Sequence, residues 1–168
     1  MSTNMKYYHY TTDLHLPKIQ EAGFLKLVES NVSETEEHFG PDVVWLFKQP
    51  VKGKTPKMLQ AVIDIGTAYV LVDKSSVEIE VELPVEEVVR ADKFYKKHKA
   101  DSKWITQLCK NVDSSSKQWY VIERPVLVDE FVAVRKRPEA FSMIKVKATG
   151  KVERLYKNDL QALVGYKD

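Results

Sequence analysis

Strict alternation of apolar and acidic residues marks the clearest element of the chain. Val77, Ile79, Val81 and Leu83 alternate with three glutamates. A period of two places alternate side chains on opposite faces of a strand. The pattern therefore predicts a strand with one buried face and one solvated, glutamate-bearing face.

Shorter runs rich in β-branched and aromatic residues predict further strands. They cover residues 7–11, 43–47, 58–65, 69–72, 118–126 and 131–134. Near the C-terminus, Ile144, Val146 and Ala148 alternate with lysines. A turn at Thr149 and Gly150 then joins this segment to residues 152–156 as a hairpin.

Start and stop signals predict four helices. The first helix carries Leu16, Ile19 and Ala22 on one face, with Pro17 in its first turn and Gly23 just past its end. The second covers residues 85–99. A third begins at an N-capping serine and places four apolar side chains on one face, and a short fourth runs over residues 158–165. The residues of the third helix are Ser102, Trp104, Ile105, Leu108 and Cys109.

Strands and helices do not alternate regularly along the chain, which disfavours a doubly wound parallel sheet. We expect an α+β fold. The 168 residues fit one domain, and no repeat or linker divides them. The whole chain, residues 1–168, is therefore predicted to be a single domain.

Composition narrows the classes of function. Twenty-six Lys and Arg residues oppose 24 Asp and Glu residues, so net charge alone indicates no polyanionic partner. The lone Cys109 rules out an intramolecular disulfide, and the four histidines show no metal-ligand spacing, so we predict no metal. No apolar run approaches the roughly 20 residues of a membrane span. We expect a soluble cytoplasmic protein, or one of the host cytoplasm if the chain is encoded by a phage.

Residues 7–27, which read YYHYTTDLHLPKIQEAGFLKL, are the most informative motif. The segment resembles the opening of the ADP-ribosyltransferase-like superfamily, which includes DNA-targeting ADP-ribosyltransferase toxins and RNA 2′-phosphotransferases. The resemblance places His9 at the first-strand histidine, whose imidazole hydrogen-bonds a ribose hydroxyl of NAD. Tyr10 and Thr11 complete the aromatic-His-x-Thr motif, and backbone at Tyr10 would hold the nicotinamide amide. An alternative for His9 is a half-buried histidine bonded to backbone.

Two later segments carry weaker matches. In VVWLFKQP, Phe47 falls where an aromatic flanks the nicotinamide, although Lys48 follows it where relatives commonly have Thr or Ser. In SSSKQWYVIERPV, the position of the usual acid is Gln118. Glutamine can hydrogen-bond a ribose hydroxyl but has no charge to stabilise a cationic transition state. The nearest carboxylate downstream is Glu123, the candidate for the missing catalytic acid. It is five residues on, and strand alternation points it to the opposite face, so it can substitute for that acid only through a bulge or a different register.

The resemblance implies a split antiparallel sheet core with flanking helices in residues 1–135. A C-terminal hairpin and a short helix would follow in residues 136–168. It also implies binding of NAD or a related ADP-ribose compound, with transfer of ADP-ribose to a macromolecule if the domain is active. Gln118 argues for weak or absent transfer.

Two alternatives stand beside this hypothesis. Five lysines interleaved with Phe94, Tyr95 and His98 favour nucleic-acid binding, although a solvated helix face gives the same pattern. The lysines are Lys93, Lys96, Lys97, Lys99 and Lys103, and a second basic run covers residues 135–137. The second alternative is an interaction protein without chemistry of its own, such as a bacterial or phage accessory factor that binds a host protein. In that case the Val77–Leu83 strand lies at a sheet edge, where its glutamates discourage aggregation.

Overall fold

The computed structural model describes residues 2–13, 15–27, 40–53, 59–64, 66, 68–100, 102–103, 106, 110, 117–137, 144–147 and 152–154. Within these ranges the strands and α-helices follow in chain order. They are β1 (Asn4–Thr11), α1 (Leu16–Ala22), β2 (Phe24–Leu25), β3 (Val44–Phe47), β4 (Gln60–Asp64), β5 (Ala68–Asp73), β6 (Val77–Pro84), β7 (Val88–Arg90), α2 (Ala91–Lys97), β8 (Trp119–Ile122), β9 (Val126–Leu127), β10 (Phe131–Lys136), β11 (Ile144–Lys147) and β12 (Val152–Arg154). Two 3₁₀ turns, Val85–Glu87 and Val128–Glu130, precede β7 and β10.

Six strands form the main sheet in the order β10-β6-β1-β3-β8-β7, and every neighbouring pair is antiparallel. This sheet and the two helices confirm the α+β class. The alternating strand β6 lies between β10 and β1, in the interior of the sheet. The expectation that it forms a protective edge is therefore wrong.

The main sheet buries a core on each face. On one face, the valine, isoleucine and leucine side chains of β6 pack with Tyr7 and Leu46, and Leu16 and Ile19 of α1 cover them. On the other face, Phe94 and Tyr95 of α2 pack against the aromatic residues of the central strands. Those residues are Tyr10, Trp45, Phe47 and Trp119.

The pairing of β1 differs on its two sides. It pairs with β6 along its full length, from Asn4 opposite Pro84 to Thr11 opposite Val77. Its pairing with β3 is confined to Tyr8 opposite Phe47. The sheet is thus held loosely between β1 and β3, and this junction lies beside the candidate site.

A second sheet has the order β12-β11-β5-β4, and β2 pairs with β9 in a short two-stranded sheet. The predicted C-terminal hairpin is confirmed by the antiparallel pairing of β11 with β12, and β11 also pairs with β5. The turn at Thr149 and Gly150 and the helix over residues 158–165 lie outside the described residues.

The helix predicted over residues 85–99 is wrong in its first half. Val88–Arg90 forms an edge strand paired with β8, and α2 begins only at Ala91. Adjacent β-branched residues restrict χ1 rotation and favour a pleated strand over a helix. Of the third predicted helix, Ser102, Lys103, Thr106 and Lys110 have helical backbone. Its apolar residues Trp104, Ile105, Leu108 and Cys109 lie outside the described residues.

The expectation of a solvated glutamate face is wrong for Glu78 and Glu80, which are only 8% and 4% exposed. Arg135 on β10 donates to both carboxylates, with Nη1–Oε1 of 3.2 Å to Glu78 and Nη2–Oε2 of 2.6 Å to Glu80. Lys6 on β1 lies 2.7 Å from the other oxygen of Glu80. Buried charges persist where they are paired in this way. In the described part of the chain, no helix has the length and apolar character that crossing a membrane requires.

Candidate ligand cleft

An open cleft of about 370 Å³ lies where β3 ends and β8 begins. Its volume is within the range of small-molecule sites. It is lined by Phe47, Lys48, Gln49, Pro50, Val51, Lys52, Lys117 and Gln118. The cleft thus brings together Phe47 and Gln118, two residues from separate sequence motifs.

Strand pairing explains why these two residues meet. Phe47, the last residue of β3, lies opposite Trp119, the first residue of β8. One step further, the Lys48 amide donates to the Gln118 carbonyl at 3.2 Å. The Phe47 ring is 7% exposed and meets the Tyr10 ring edge-on at 5.3 Å. Phe47 therefore forms a wall of the cleft and is also part of the core.

The lining of the cleft is positively charged. Three of the eight lining residues are lysines, namely Lys48, Lys52 and Lys117, and none of the eight is a carboxylate. The Lys48 ammonium lies 4.8 Å from the centre of the Tyr7 ring. Since a concave site of one charge sign attracts ligands of the opposite sign, the cleft favours an anion.

His9 is half-buried on β1, and its Nδ1 lies 2.8 Å from the Trp45 carbonyl oxygen. A carbonyl only accepts, so Nδ1 carries the proton and Nε2 has the free lone pair. Burial lowers the pKa of the His9 imidazole, and the bond to Trp45 offsets only part of that effect. The ring is therefore neutral near pH 7 and can accept a hydroxyl proton at Nε2.

His9 is not among the residues that line the cleft. Tyr8 pairs with Phe47, so the side chain of His9 points to the opposite face of the sheet. Lys48 is near both places, because it is one of the residues that line the cleft and its ammonium lies over the ring of Tyr7, two residues before His9.

The next two residues of β1 are buried. The Tyr10 hydroxyl donates to Glu78 Oε2 at 2.9 Å and accepts from the Val51 amide at 2.6 Å. Burial is the main cause of a raised pKa for this phenol. The carbonyl of Thr11 lies 3.5 Å from the Ser76 hydroxyl. A contact between the Tyr10 backbone and nicotinamide stays a prediction.

Glu123 lies at the far end of β8 from Gln118. The strand pairs regularly with β3 and β7, without a bulge, so the five-residue separation corresponds to roughly 16 Å. Its carboxylate is directed to His98, with Oε1 3.7 Å from Nε2. The structure therefore does not bring Glu123 to the cleft, and no step of a reaction there can use it.

The five clustered lysines are all exposed, whereas Phe94 and Tyr95 between them are buried in the core. These two rings are therefore unavailable to stack on bases. The lysines are Lys93, Lys96, Lys97, Lys99 and Lys103. In the second basic run, Arg137 is buried and Arg135 is engaged by the two glutamates of β6.

Four residues near the cleft were not foreseen as site residues: Lys52, Lys117, Tyr10 through its side chain, and Glu78. Lys52 lies two residues after the motif VVWLFKQP and Lys117 lies within the motif SSSKQWYVIERPV, so local charge was an available signal for both. The bond between Tyr10 and Glu78 joins residues 68 positions apart, and no local pattern indicates it.

Within the described ranges, no group of three or more His, Cys, Asp or Glu side chains could hold a metal ion.

Comparison of the chain with protein-family models, with curated proteins and with solved structures gives no significant match.

Proposed function

We propose that this chain is an ADP-ribosyltransferase-like protein that binds NAD or a related ADP-ribose nucleotide in the cleft between Phe47 and Gln118. The observation that carries the proposal is the composition of the lining: an aromatic ring, an amide and three lysines, without a carboxylate. An ADP-ribose compound presents a pyrophosphate between two ribose units, so its charge complements these cations.

Each group has a distinct role under this proposal. Lys52 and Lys117 attract the pyrophosphate, and the Gln118 amide bonds a ribose hydroxyl. Phe47 flanks the nicotinamide. His9 lies outside the cleft and on the opposite face of the sheet from Phe47, so a ribose contact at its Nε2 is a separate prediction that the resemblance makes.

The site favours binding over transfer of ADP-ribose. Cleavage of the nicotinamide N-glycosidic bond develops positive charge on the ribose, which a nearby carboxylate stabilises. Gln118 is uncharged and Glu123 lies at the other end of β8. Glu78 is engaged in an ion pair with Arg135, and Glu80 in ion pairs with Arg135 and Lys6. We therefore expect transfer to a macromolecule to be weak or absent.

The test is a thermal-shift and calorimetric titration of the full chain with ADP-ribose and NAD. A ligand that binds only the folded state stabilises it by about 2.7 kcal/mol at one hundred times Kd. The double variant Lys52→Gln/Lys117→Gln should bind at least tenfold more weakly. The matched control Lys93→Gln/Lys96→Gln removes the same charge from α2 and should bind as the wild type does. Absence of a shift at millimolar ligand, or equal losses in both variants, contradicts the proposal.

His9→Ala tests the remaining contact separately. We expect a weaker, still saturable interaction with ADP-ribose and a chain that stays folded. Unchanged affinity would remove His9 from the site while leaving the cleft in place.

A second candidate is a non-catalytic accessory factor that binds nucleic acid or a host protein. The five exposed lysines between Lys93 and Lys103 favour the nucleic acid. Binding through them would show a log–log salt slope near −0.9 for each duplex phosphate neutralised, and Lys93→Gln/Lys96→Gln would reduce that slope. A flat salt dependence would count against nucleic-acid binding. A stable complex with a host protein would favour the protein-binding accessory factor instead.

A further inference from the structure

One wall of the cleft is a single segment, residues 48–53, which we call the cleft wall. It supplies five of the eight lining residues. Three hydrogen bonds tie its backbone to separate parts of the fold. The Lys48 amide donates to the Gln118 carbonyl, the Val51 amide donates to the Tyr10 hydroxyl, and the Gly53 carbonyl accepts from Arg137 Nη2 at 2.9 Å.

The Tyr10 hydroxyl has a fixed polarity in this arrangement. A phenol has one hydroxyl proton, and Tyr10 donates it in a hydrogen bond to one oxygen of Glu78. The Arg135 guanidinium donates to the other oxygen of that carboxylate. The oxygen lone pair is then directed to the Val51 amide. The bond polarises the phenol toward the acceptor role that the cleft wall needs.

Arg137 holds the other end of the cleft wall. Its guanidinium is buried, donates to the carbonyl and hydroxyl of Ser75 in the turn between β5 and β6, and donates also to Gly53. The same group lies 5.8 Å from the centre of the Tyr10 ring. One planar fork thus joins the cleft wall to the main sheet.

We propose that Tyr10 and Arg137 are positioning residues that hold the cleft wall in its binding conformation, so that ligand affinity depends on two buried groups that do not line the cleft. The part concerning affinity rests on the proposed function. The part concerning the conformation of residues 48–53 holds without any ligand.

Tyr10→Phe removes the hydroxyl and keeps the ring, and Tyr8→Phe is the matched control. Tyr8 lies on the same strand and face and packs against the same core. In Tyr10→Phe we expect the Val51 amide to exchange with solvent at least tenfold faster, its proton resonance to move upfield, and ADP-ribose to bind about five- to tenfold more weakly. In Tyr8→Phe the exchange rate of the Val51 amide and the affinity for ADP-ribose should stay within twofold of the wild type, and the resonance of that amide should not shift.

The pattern of exchange separates positioning from general stability. A merely structural role for Tyr10 speeds exchange at every amide that opens by global unfolding, including those of β6. Positioning speeds exchange in residues 48–53 and leaves the amides of β6 unchanged. Unchanged exchange at Val51 in Tyr10→Phe overturns the inference, even where the wild type binds ADP-ribose.

Arg137→Gln and Arg137→Lys test the second anchor. The Gly53 carbonyl loses its donor in Arg137→Gln, so we expect faster exchange at the Val51 amide of the same segment and at least threefold weaker binding of ADP-ribose. Lysine keeps the charge but offers its donors from a single nitrogen, whereas Arg137 reaches Ser75 with Nη1 and Gly53 with Nη2, so Arg137→Lys should recover only part of the loss. Full recovery would show that charge alone matters and would overturn the bridging role. If the wild type binds no ADP-ribose nucleotide, the proposed function and the affinity part fail together, and exchange still decides the conformational part.

Discussion

His9 donates a hydrogen bond from Nδ1 to the backbone carbonyl of Trp45, 2.8 Å away, across two strands that pair only where Tyr8 meets Phe47. A side chain thus bridges β1 and β3 where the backbone ladder is interrupted. The bond fits the simpler interpretation of His9 as a half-buried histidine with a backbone partner. It also fixes the tautomer that a ribose-binding histidine needs, since within the described residues Nε2 has no partner.

The buried imidazole predicts a pH dependence of stability. Burial lowers the pKa of His9 below its unfolded value of 6.5, so the unfolded chain binds more protons as pH falls through that value. The neutral form therefore contributes its full stability above pH 6.5 and loses it as pH falls toward the depressed folded pKa. We expect the free energy of unfolding to fall between pH 6.5 and 5, with a slope of at most about 1.4 kcal/mol per pH unit.

Urea denaturation of the wild type and His9→Asn from pH 8 to pH 5 measures this slope. The variant should lose about 1 kcal/mol at pH 8, where only the contact with Trp45 is missing. Its stability should then vary less than that of the wild type as pH falls to 5. Parallel curves for the two proteins would show that His9 does not cause the dependence.

Two glycines with nearly equal backbone angles predict unequal effects of alanine. Gly23 ends α1 with φ of 83°, and a Cβ there would meet nothing within 4 Å. Gly40 has φ of 85°, and a Cβ would come within 2.6 Å of the His98 ring and 2.8 Å of Phe94. Gly23→Ala should cost about 1 kcal/mol for the left-handed backbone alone, and Gly40→Ala about 2–4 kcal/mol because the core must also shift. Thermal denaturation compares them, and equal losses would exclude the packing contribution.

Elements with local signals were predictable from the sequence. Pro17 marks the start of α1 and Gly23 marks its end, because each acts through its own backbone geometry. The structure confirms that Pro17 lies in the first turn and that Gly23 follows the last helical residue. The alternation of residues 77–83 predicted a strand but not the burial of Glu78 and Glu80. Their burial depends on ion pairs with Lys6 and Arg135, which lie in the neighbouring strands β1 and β10. These strands are far from β6 in the sequence, and no local pattern shows which of their residues will lie opposite the glutamates.

The candidate site divides in the same way. Phe47 and Gln118 were each identified by a short motif. They meet because β3 and β8 are antiparallel, so that the last residue of β3 lies opposite the first residue of β8. The role of the Tyr10 side chain depends on Val51 and Glu78, which are 41 and 68 positions away in the chain. Glu123 was considered as a substitute acid because it is close to Gln118 in sequence, but an extended strand separates the two.

The buried glutamates of β6 predict a strong effect of removing Arg135. Arg135→Met deprives two buried carboxylates of a donor, and we expect a loss of about 1–3 kcal/mol in the free energy of unfolding. Lys136→Met removes the same charge from an exposed neighbour and should change stability little.

Hydrogen bonds from Lys6 and Arg135 lower the pKa of Glu80. The wild type should therefore lose stability as pH falls below 4.5 through that depressed pKa, and Arg135→Met should lose less. Equal acid sensitivity of the two would contradict this account.

Under the proposed function, a single substitution of the uncharged Gln118 should supply the carboxylate that cleavage of NAD in the cleft needs. Gln118→Glu places a carboxylate beside the bound ribose, where it stabilises positive charge that develops as the nicotinamide bond breaks. We expect nicotinamide release from NAD to rise at least tenfold above the wild type, while ADP-ribose binds a few-fold more weakly because the carboxylate repels the pyrophosphate. Gln118→Met is the matched control, since it keeps the length of the side chain and adds no charge.

Release of nicotinamide, followed by chromatography at saturating NAD, separates chemistry from binding in these variants. Gln118→Met should lose affinity without gaining activity, because it removes the amide that we propose bonds the ribose and offers no charge in its place. If Gln118→Glu binds NAD and releases nicotinamide no faster than Gln118→Met, then position 118 does not face the reacting ribose. The cleft would then hold its anion in another orientation, and the resemblance at residues 114–126 would carry no catalytic meaning.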